Sequence, residues 1–121
     1  MNYSIKNVAK KSVSLGRIMS ERSEKIDTVD LIKYYPDGIT INDFEKVDMA
    51  GEEIVVYTCK EKPNGFIFAG YVLKKMFDNL LKEIPEEELR KSLQTEGLKV
   101  KLVRAKTKDG KKELTKVEVV D

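Results

Sequence analysis

The residues of this sequence best suited to chemistry are basic side chains gathered near its carboxyl end. The stretch from Leu98 to Val120, LKVKLVRAKTKDGKKELTKVEVV, carries eight of them: Lys99, Lys101, Arg104, Lys106, Lys108, Lys111, Lys112 and Lys116. Because like charges at close spacing repel one another, such a cluster favours an anion lying along it, such as the phosphate backbone of a nucleic acid. The alternative is that the lysines keep an exposed hairpin from pairing edge to edge with another molecule.

The formal charge is divided unevenly along the chain. Residues 1–20 carry four basic and no acidic side chains, residues 21–97 carry eleven basic and seventeen acidic ones, and residues 98–121 carry eight basic and four acidic ones. The overall charge of +2 therefore separates into +4, −6 and +4. Positive charge segregated at the two ends creates a local potential that a polyanion can follow.

Aromatic residues are the second candidate binding groups. Unpaired bases gain roughly 1 to 3 kcal/mol each by stacking on aromatic rings, so a single-stranded nucleic acid needs flat apolar surfaces. Phe66 and Phe68 point to the same side of a predicted strand, Tyr57 lies across the turn at residues 63–65, and Tyr71 follows closely. These rings form a stacking platform if their face is open to solvent, and core if it is not. The sequence leaves both arrangements open.

Enzymatic and metal-binding functions find little support. The chain has no His and one Cys, Cys59, so it lacks the usual general base, a triad histidine and a zinc ligand set. Glu86, Glu87 and Glu88 are consecutive at a predicted helix start, where they suit the helix dipole and spread around the surface. The glycines are isolated, and no calcium-binding loop is present. We expect no catalytic activity, metal or cofactor.

Length and composition favour one folded domain with a basic arm. The chain has 121 residues, of which 40% are hydrophobic and 36% charged, and no apolar run approaches the ~18 residues of a membrane span. The amino terminus lacks the continuous apolar core of a secretory signal, so we expect a cytoplasmic protein. Residues 1–25 form the arm, helical or partly disordered, and residues 26–121 form the domain. Cys59, inside an apolar run, is expected to be a small buried hydrophobe.

The elements that position the candidate residues follow from periodicity and turn signals. A short helix beginning at Asp27 or Thr28 precedes a strand over residues 39–49, with a bulge near Asn42 and Asp43. Two further strands then pair as a meander, an amphipathic helix covers residues 70–84, and Pro85 begins a second helical segment that Gly97 closes. Two terminal strands join at the Asp109-Gly110 turn. The predicted order is β-β-β-α-β-β.

This order matches the five-stranded OB barrel, a mainly β fold with helices. The segments DTVDLIKYYPDGITINDFEKV, NGFIFAGYVLKKMFDNLL and GLKVKLVRAKTKDGKKELTKVEVV resemble the small OB-fold single-stranded DNA-binding proteins carried by phages and mobile elements of Gram-positive bacteria. The likeness covers about the last 95 residues: an aromatic-Gly strand that runs into a helix, and a lysine-rich terminal hairpin. The chain departs from many such proteins in having no Trp.

These observations predict a protein that binds single-stranded DNA without sequence preference, by electrostatic tracking of the backbone and aromatic stacking. The predicted contacts are Tyr57, Phe66, Phe68, Lys99, Lys101, Arg104, Lys106, Lys108, Lys111, Lys112 and Lys116. RNA binding through the same surface stays open, as does a homo-oligomer. The alternative is a protein–protein adaptor on an OB-like barrel, in which the lysines serve solubility.

Overall fold

A computed structural model describes residues 16–120 of the chain. In these residues it contains four helices, α1 Gly16–Glu21, α2 Thr28–Tyr34, α3 Tyr71–Glu83 and α4 Glu86–Thr95. It also contains six strands, β1 Glu24–Lys25, β2 Ile39–Met49, β3 Glu52–Cys59, β4 Gly65–Phe68, β5 Leu98–Lys106 and β6 Glu113–Val119. The predicted short helix, the three meander strands, both later helices and the terminal hairpin are confirmed.

All six strands belong to one curled sheet with the shape of a half-barrel and the order β1-β4-β3-β2-β5-β6. The prediction of five strands was wrong, because Glu24 and Lys25 add a short strand parallel to β4. The sequence did not predict this strand, because two residues are too few to show the alternation of apolar and polar side chains that is typical of a strand. Among the described residues β1 and β6 are the edges of the sheet and do not pair with each other.

The bulge predicted in β2 places its side chains on the correct face. The pairing with β3 shifts between Ile41 and Asp43, so that Asn42 is the additional residue. Without this extra residue the alternation of side chains would turn Phe44 away from the core on which Ile39 and Ile41 pack. With it, all three are buried on the inner face of the sheet.

The main core lies between the inner face of the half-barrel and the helices α3 and α4. Phe44 and Phe77 stack with their ring centroids 5.0 Å apart. Leu89 and Leu93 of α4 are buried in the same cluster, and Arg90 donates to the Phe44 carbonyl oxygen at 3.2 Å. Gly97 ends α4 with a φ of +75°, a left-handed backbone conformation that glycine adopts without a steric penalty.

The predicted basic arm is described from Gly16 onward, and residues 1–15 lie outside the described residues. Helix α1 packs on the outer face of the sheet, where Ile18 is 1% exposed against Val47 and Val56. The Glu45 carboxylate accepts the backbone N–H groups of Arg17 and Ile18 at 3.0 and 2.9 Å. Residues 16–25 therefore fold with the sheet, in contrast to the disorder that their polar composition allowed.

Candidate nucleic-acid interface

The strands β5 and β6 form a long hairpin, which we name the basic finger (residues 98–119). Its pairing runs without interruption from Val100 opposite Val119 to Lys106 opposite Glu113. The base of the hairpin is anchored in the core, since Val100 and Leu102 are buried. Toward the tip the strands leave the core, and every residue from Lys108 to Glu113 is exposed.

The turn at the tip is held by its own hydrogen bonds. The Thr107 N–H donates to the Lys112 carbonyl at 2.8 Å, and the Gly110 N–H donates to the Thr107 carbonyl at 2.8 Å. The Asp109 carboxylate accepts the Thr107 hydroxyl and the Lys111 N–H, and these hydrogen bonds lower the pKa of Asp109. The one acid of the turn is thus engaged within the turn, while the lysine side chains around it project outward.

Both faces of the finger carry basic side chains. The register places Arg104 and Lys106 on the face that continues the core side of β5, opposite Thr115 and Glu113. Lys99, Lys101 and Lys116 lie on the other face, where Lys101 is opposite Glu118. Of the eight cations, Arg104 alone forms an ion pair within residues 16–120, at 2.8 Å from Glu113. The remaining seven, all lysines, are exposed.

Tyr57 does not belong to the binding surface that the sequence suggested. It is 1% exposed and pairs with Ile67 on the inner face of the sheet. Its ring lies 6.4 Å from that of Phe77, and burial raises the pKa of its hydroxyl. A ring enclosed in this way cannot stack on a base, so the prediction that Tyr57 contacts nucleic acid is corrected: it is a core residue.

Phe66 and Phe68 lie on the opposite face from Tyr57, so the three rings do not share one platform. Their centroids are 5.9 Å apart, and both are half-buried beside the cluster formed by Ile18 and Val56. The Lys25 ammonium lies 5.0 Å from the centre of the Phe68 ring. Helix α1 and strand β1 therefore cover part of the surface that the two rings were expected to offer.

Among residues 16–120, the aromatic side chains most open to solvent are Tyr71, one of the stacking candidates, and Tyr34, which was not predicted as a site. Tyr71, at the start of α3, is 78% exposed, and Tyr34, at the end of α2, is 63% exposed. Each has a lysine beside it, with the Lys75 ammonium 5.5 Å from the Tyr71 ring centre and Lys33 5.4 Å from that of Tyr34. Tyr71 precedes Leu73 and Phe77, the buried side of α3, and helical spacing places it off that side.

Cys59 is buried, as expected, and burial raises the pKa of its thiol. Within residues 16–120 there is no group of three or more side chains arranged to hold a metal ion. No helix in that range is long and apolar enough to cross a membrane.

Comparison of the chain with protein-family models, curated proteins and solved structures gives no match.

Proposed function

We propose that this protein binds single-stranded DNA without sequence preference and holds the sugar-phosphate backbone along the basic finger. The proposal depends above all on the finger tip. Lys106, Lys108, Lys111 and Lys112 are exposed there, and none has an acidic partner within 4 Å among residues 16–120. A cluster of free cations binds phosphates and releases their condensed counterions, a sequence-independent source of affinity.

The rigidity of the turn supports the same function. The hydrogen bonds of Thr107, Asp109 and Gly110 fix the backbone that carries the lysines. A preordered turn loses less conformational entropy on binding than a flexible loop, so more of the electrostatic attraction appears as affinity.

The fold class adds a second line of support. Strands β2 to β6, with the helices between β4 and β5, follow the strand and helix order of an OB barrel, and the finger occupies the position of its last hairpin. The loop joining the last two strands is one that OB folds use for oligonucleotides. The assignment of this chain to OB-fold single-stranded DNA-binding proteins of phages or mobile elements, and its cytoplasmic location, are parts of this proposal.

Fluorescence anisotropy with labelled oligo-dT, duplex DNA and oligo-U tests the proposal. Strands of about 30 nucleotides exceed the ~4–16 nucleotides that one OB fold covers. We expect tight binding to oligo-dT that weakens steeply between about 50 and 200 mM salt, with weaker binding to the duplex. Equal or tighter binding of oligo-U would assign the surface to RNA. Absence of binding to all three at low salt would contradict the proposal and favour the protein–protein adaptor.

A further inference from the structure

The start of helix α3 adjoins the base of the basic finger. Gly70 and Leu73 line a small cavity of about 30 Å³ together with Leu102, Thr115 and Val117 of the finger. The Arg104 guanidinium donates to the Thr115 hydroxyl at 3.3 Å, so the finger's charged side begins where this cavity ends. Tyr71 follows Gly70 directly in the chain. The most exposed aromatic ring of residues 16–120 is therefore one residue away from the contact between helix and finger.

An open concavity extends from Tyr71 along the side of α3. It measures about 470 Å³, within the range of ~300–1,000 Å³ typical of small-molecule sites. Val72, Met76 and Leu80 supply apolar lining, and Lys75, Asn79 and Glu83 supply one cation, one amide and one carboxylate. Tyr71, Lys75 and Asn79 are four residues apart and so lie on one stripe of the helix.

The chemistry of this concavity suits a nucleobase attached to a phosphate. A base needs an aromatic face, an apolar surround and a few hydrogen-bonding groups, which Tyr71, the three apolar side chains and the Asn79 amide provide. The Lys75 ammonium, 5.5 Å from the Tyr71 ring centre, stands where a phosphate next to a stacked base can reach it. The Glu83 carboxylate, eight residues and about 12 Å further along α3, lies at the other end of the concavity and away from a phosphate at Lys75.

We infer that Tyr71 is the stacking residue for a base of a single strand held by the basic finger, in place of the enclosed Tyr57. This inference depends on the proposed function, since it assigns a second contact to the same ligand. The strand runs from the lysines of the finger tip past Arg104 to the α3 concavity. Tyr34 offers a matched control, because it is an exposed tyrosine with an adjacent lysine but lies at the far end of α2, beside Glu24 and Lys62.

The chain contains no Trp, so a single Trp introduced as a reporter gives an unambiguous signal. In Tyr71→Trp we expect oligo-dT to quench the fluorescence in proportion to binding measured by anisotropy. In Tyr34→Trp we expect binding of similar affinity without quenching. Equal quenching at both positions, or at Tyr34→Trp alone, would overturn the inference.

Affinity measurements with Tyr71→Ala and Tyr34→Ala complete the test. Loss of one stacked base weakens binding about 5- to 150-fold, so we expect this effect for Tyr71→Ala and less than about a twofold effect for Tyr34→Ala. Tyr71→Phe should keep the wild-type affinity, because the ring and not the hydroxyl stacks. Both tyrosines are exposed, so the melting temperatures should stay unchanged.

The outcomes separate this inference from the proposed function. If the wild-type protein binds oligo-dT with a steep salt dependence and Tyr71→Ala binds equally well, the finger binds DNA and the stacking role of Tyr71 is wrong. If Tyr71→Ala instead dissociates a dimer in sedimentation while its affinity is unchanged, the concavity joins two copies of the chain, which also overturns the inference. If no variant and no wild-type protein binds, the proposed function itself fails.

Discussion

The half-barrel interior and the basic finger share the strands β5 and β6, yet the two regions use these strands in opposite ways. At the base of the hairpin Val100 and Leu102 face the core and are buried. Two and four residues further along the same side of β5, the alternating positions carry Arg104 and Lys106, which are exposed. Burial in the core holds the base of the two strands in place. Beyond the core the same strands are exposed to solvent, so positions that would otherwise need apolar residues can be basic. Substitutions in the two regions should therefore separate stability from binding.

The largest effect on stability is expected for Tyr57→Ala. A large aromatic side chain that is fully buried costs about 3 to 5 kcal/mol when it is reduced to Ala. Urea unfolding should show this loss, and any oligo-dT binding that remains in the folded fraction should be unchanged. A variant of normal stability that binds oligo-dT weakly would show that Tyr57 is a binding residue and not a core residue.

Ile18→Ala tests whether helix α1, which lies in the predicted basic arm, stabilises the domain. Because Ile18 is 1% exposed against the outer face of the sheet, its truncation should cost about 2 to 5 kcal/mol. For the same reason we expect removal of residues 1–25, which takes α1 away, to lower the melting temperature. A melting temperature equal to that of the wild type in both Ile18→Ala and the truncated chain would show that α1 contributes nothing to the fold.

The strands, the helices and the hairpin could be predicted because each depends on local patterns. The bulge in β2 and the stop at Gly97 also followed from residue types near each site. The packing of α1 could not, because it depends on Glu45, which lies 28 residues from Arg17 in the chain. A carboxylate in the middle of a strand gives no sign that it will cap a distant helix.

The candidate site was predictable in its charges and not in its rings. Lysines at alternate positions and around an Asp-Gly turn are exposed in almost any fold, so the exposed lysines of the finger could be predicted from the sequence. Tyr57 and Phe68 lie on opposite faces because Tyr57 pairs with Ile67 and Val56 with Phe68. This register is set by the turn between β3 and β4 and by tertiary packing, which a single sequence does not report.

Phe68→Ala should have a smaller effect on the free energy of unfolding than Tyr57→Ala and a smaller effect on binding than Tyr71→Ala. The ring is half-buried, so its removal should cost about 1 to 2 kcal/mol, roughly half the value of full burial. Affinity for oligo-dT should change less than in Tyr71→Ala. If Phe68→Ala weakens binding more than Tyr71→Ala does, the outer face of β4 is the stacking surface.

The raised pKa of Tyr57 predicts a modest loss of stability in alkaline solution. Unfolded tyrosines ionise near pH 10, whereas burial keeps Tyr57 protonated in the folded chain. The folded state therefore binds the extra proton above about pH 10, and the free energy of unfolding falls as the pH rises. Urea unfolding at about pH 8 and about pH 11 should show a smaller fall in Tyr57→Phe than in the wild type. An equal fall in both would remove Tyr57 as the cause.

The central claim is that the finger tip holds a phosphate backbone, and the salt dependence of binding tests it most directly. Replacement of Lys106, Lys108, Lys111 and Lys112 by Gln removes four charges and keeps the side-chain length. Each phosphate contact on a single strand contributes about −0.7 to the log–log salt slope, so the slope should flatten by roughly two to three units. A control variant with Gln at four other exposed lysines, Lys33, Lys60, Lys82 and Lys91, has the same net charge and should keep the wild-type slope.

Both variants should unfold at the wild-type urea midpoint, because surface substitutions away from the core change stability by less than about 0.5 kcal/mol. We expect a flattened slope in the finger variant alone, measured by oligo-dT anisotropy across a series of salt concentrations. A folded finger variant with the wild-type slope would contradict the central claim. The lysines would then serve only to keep an exposed hairpin from pairing edge to edge with another molecule.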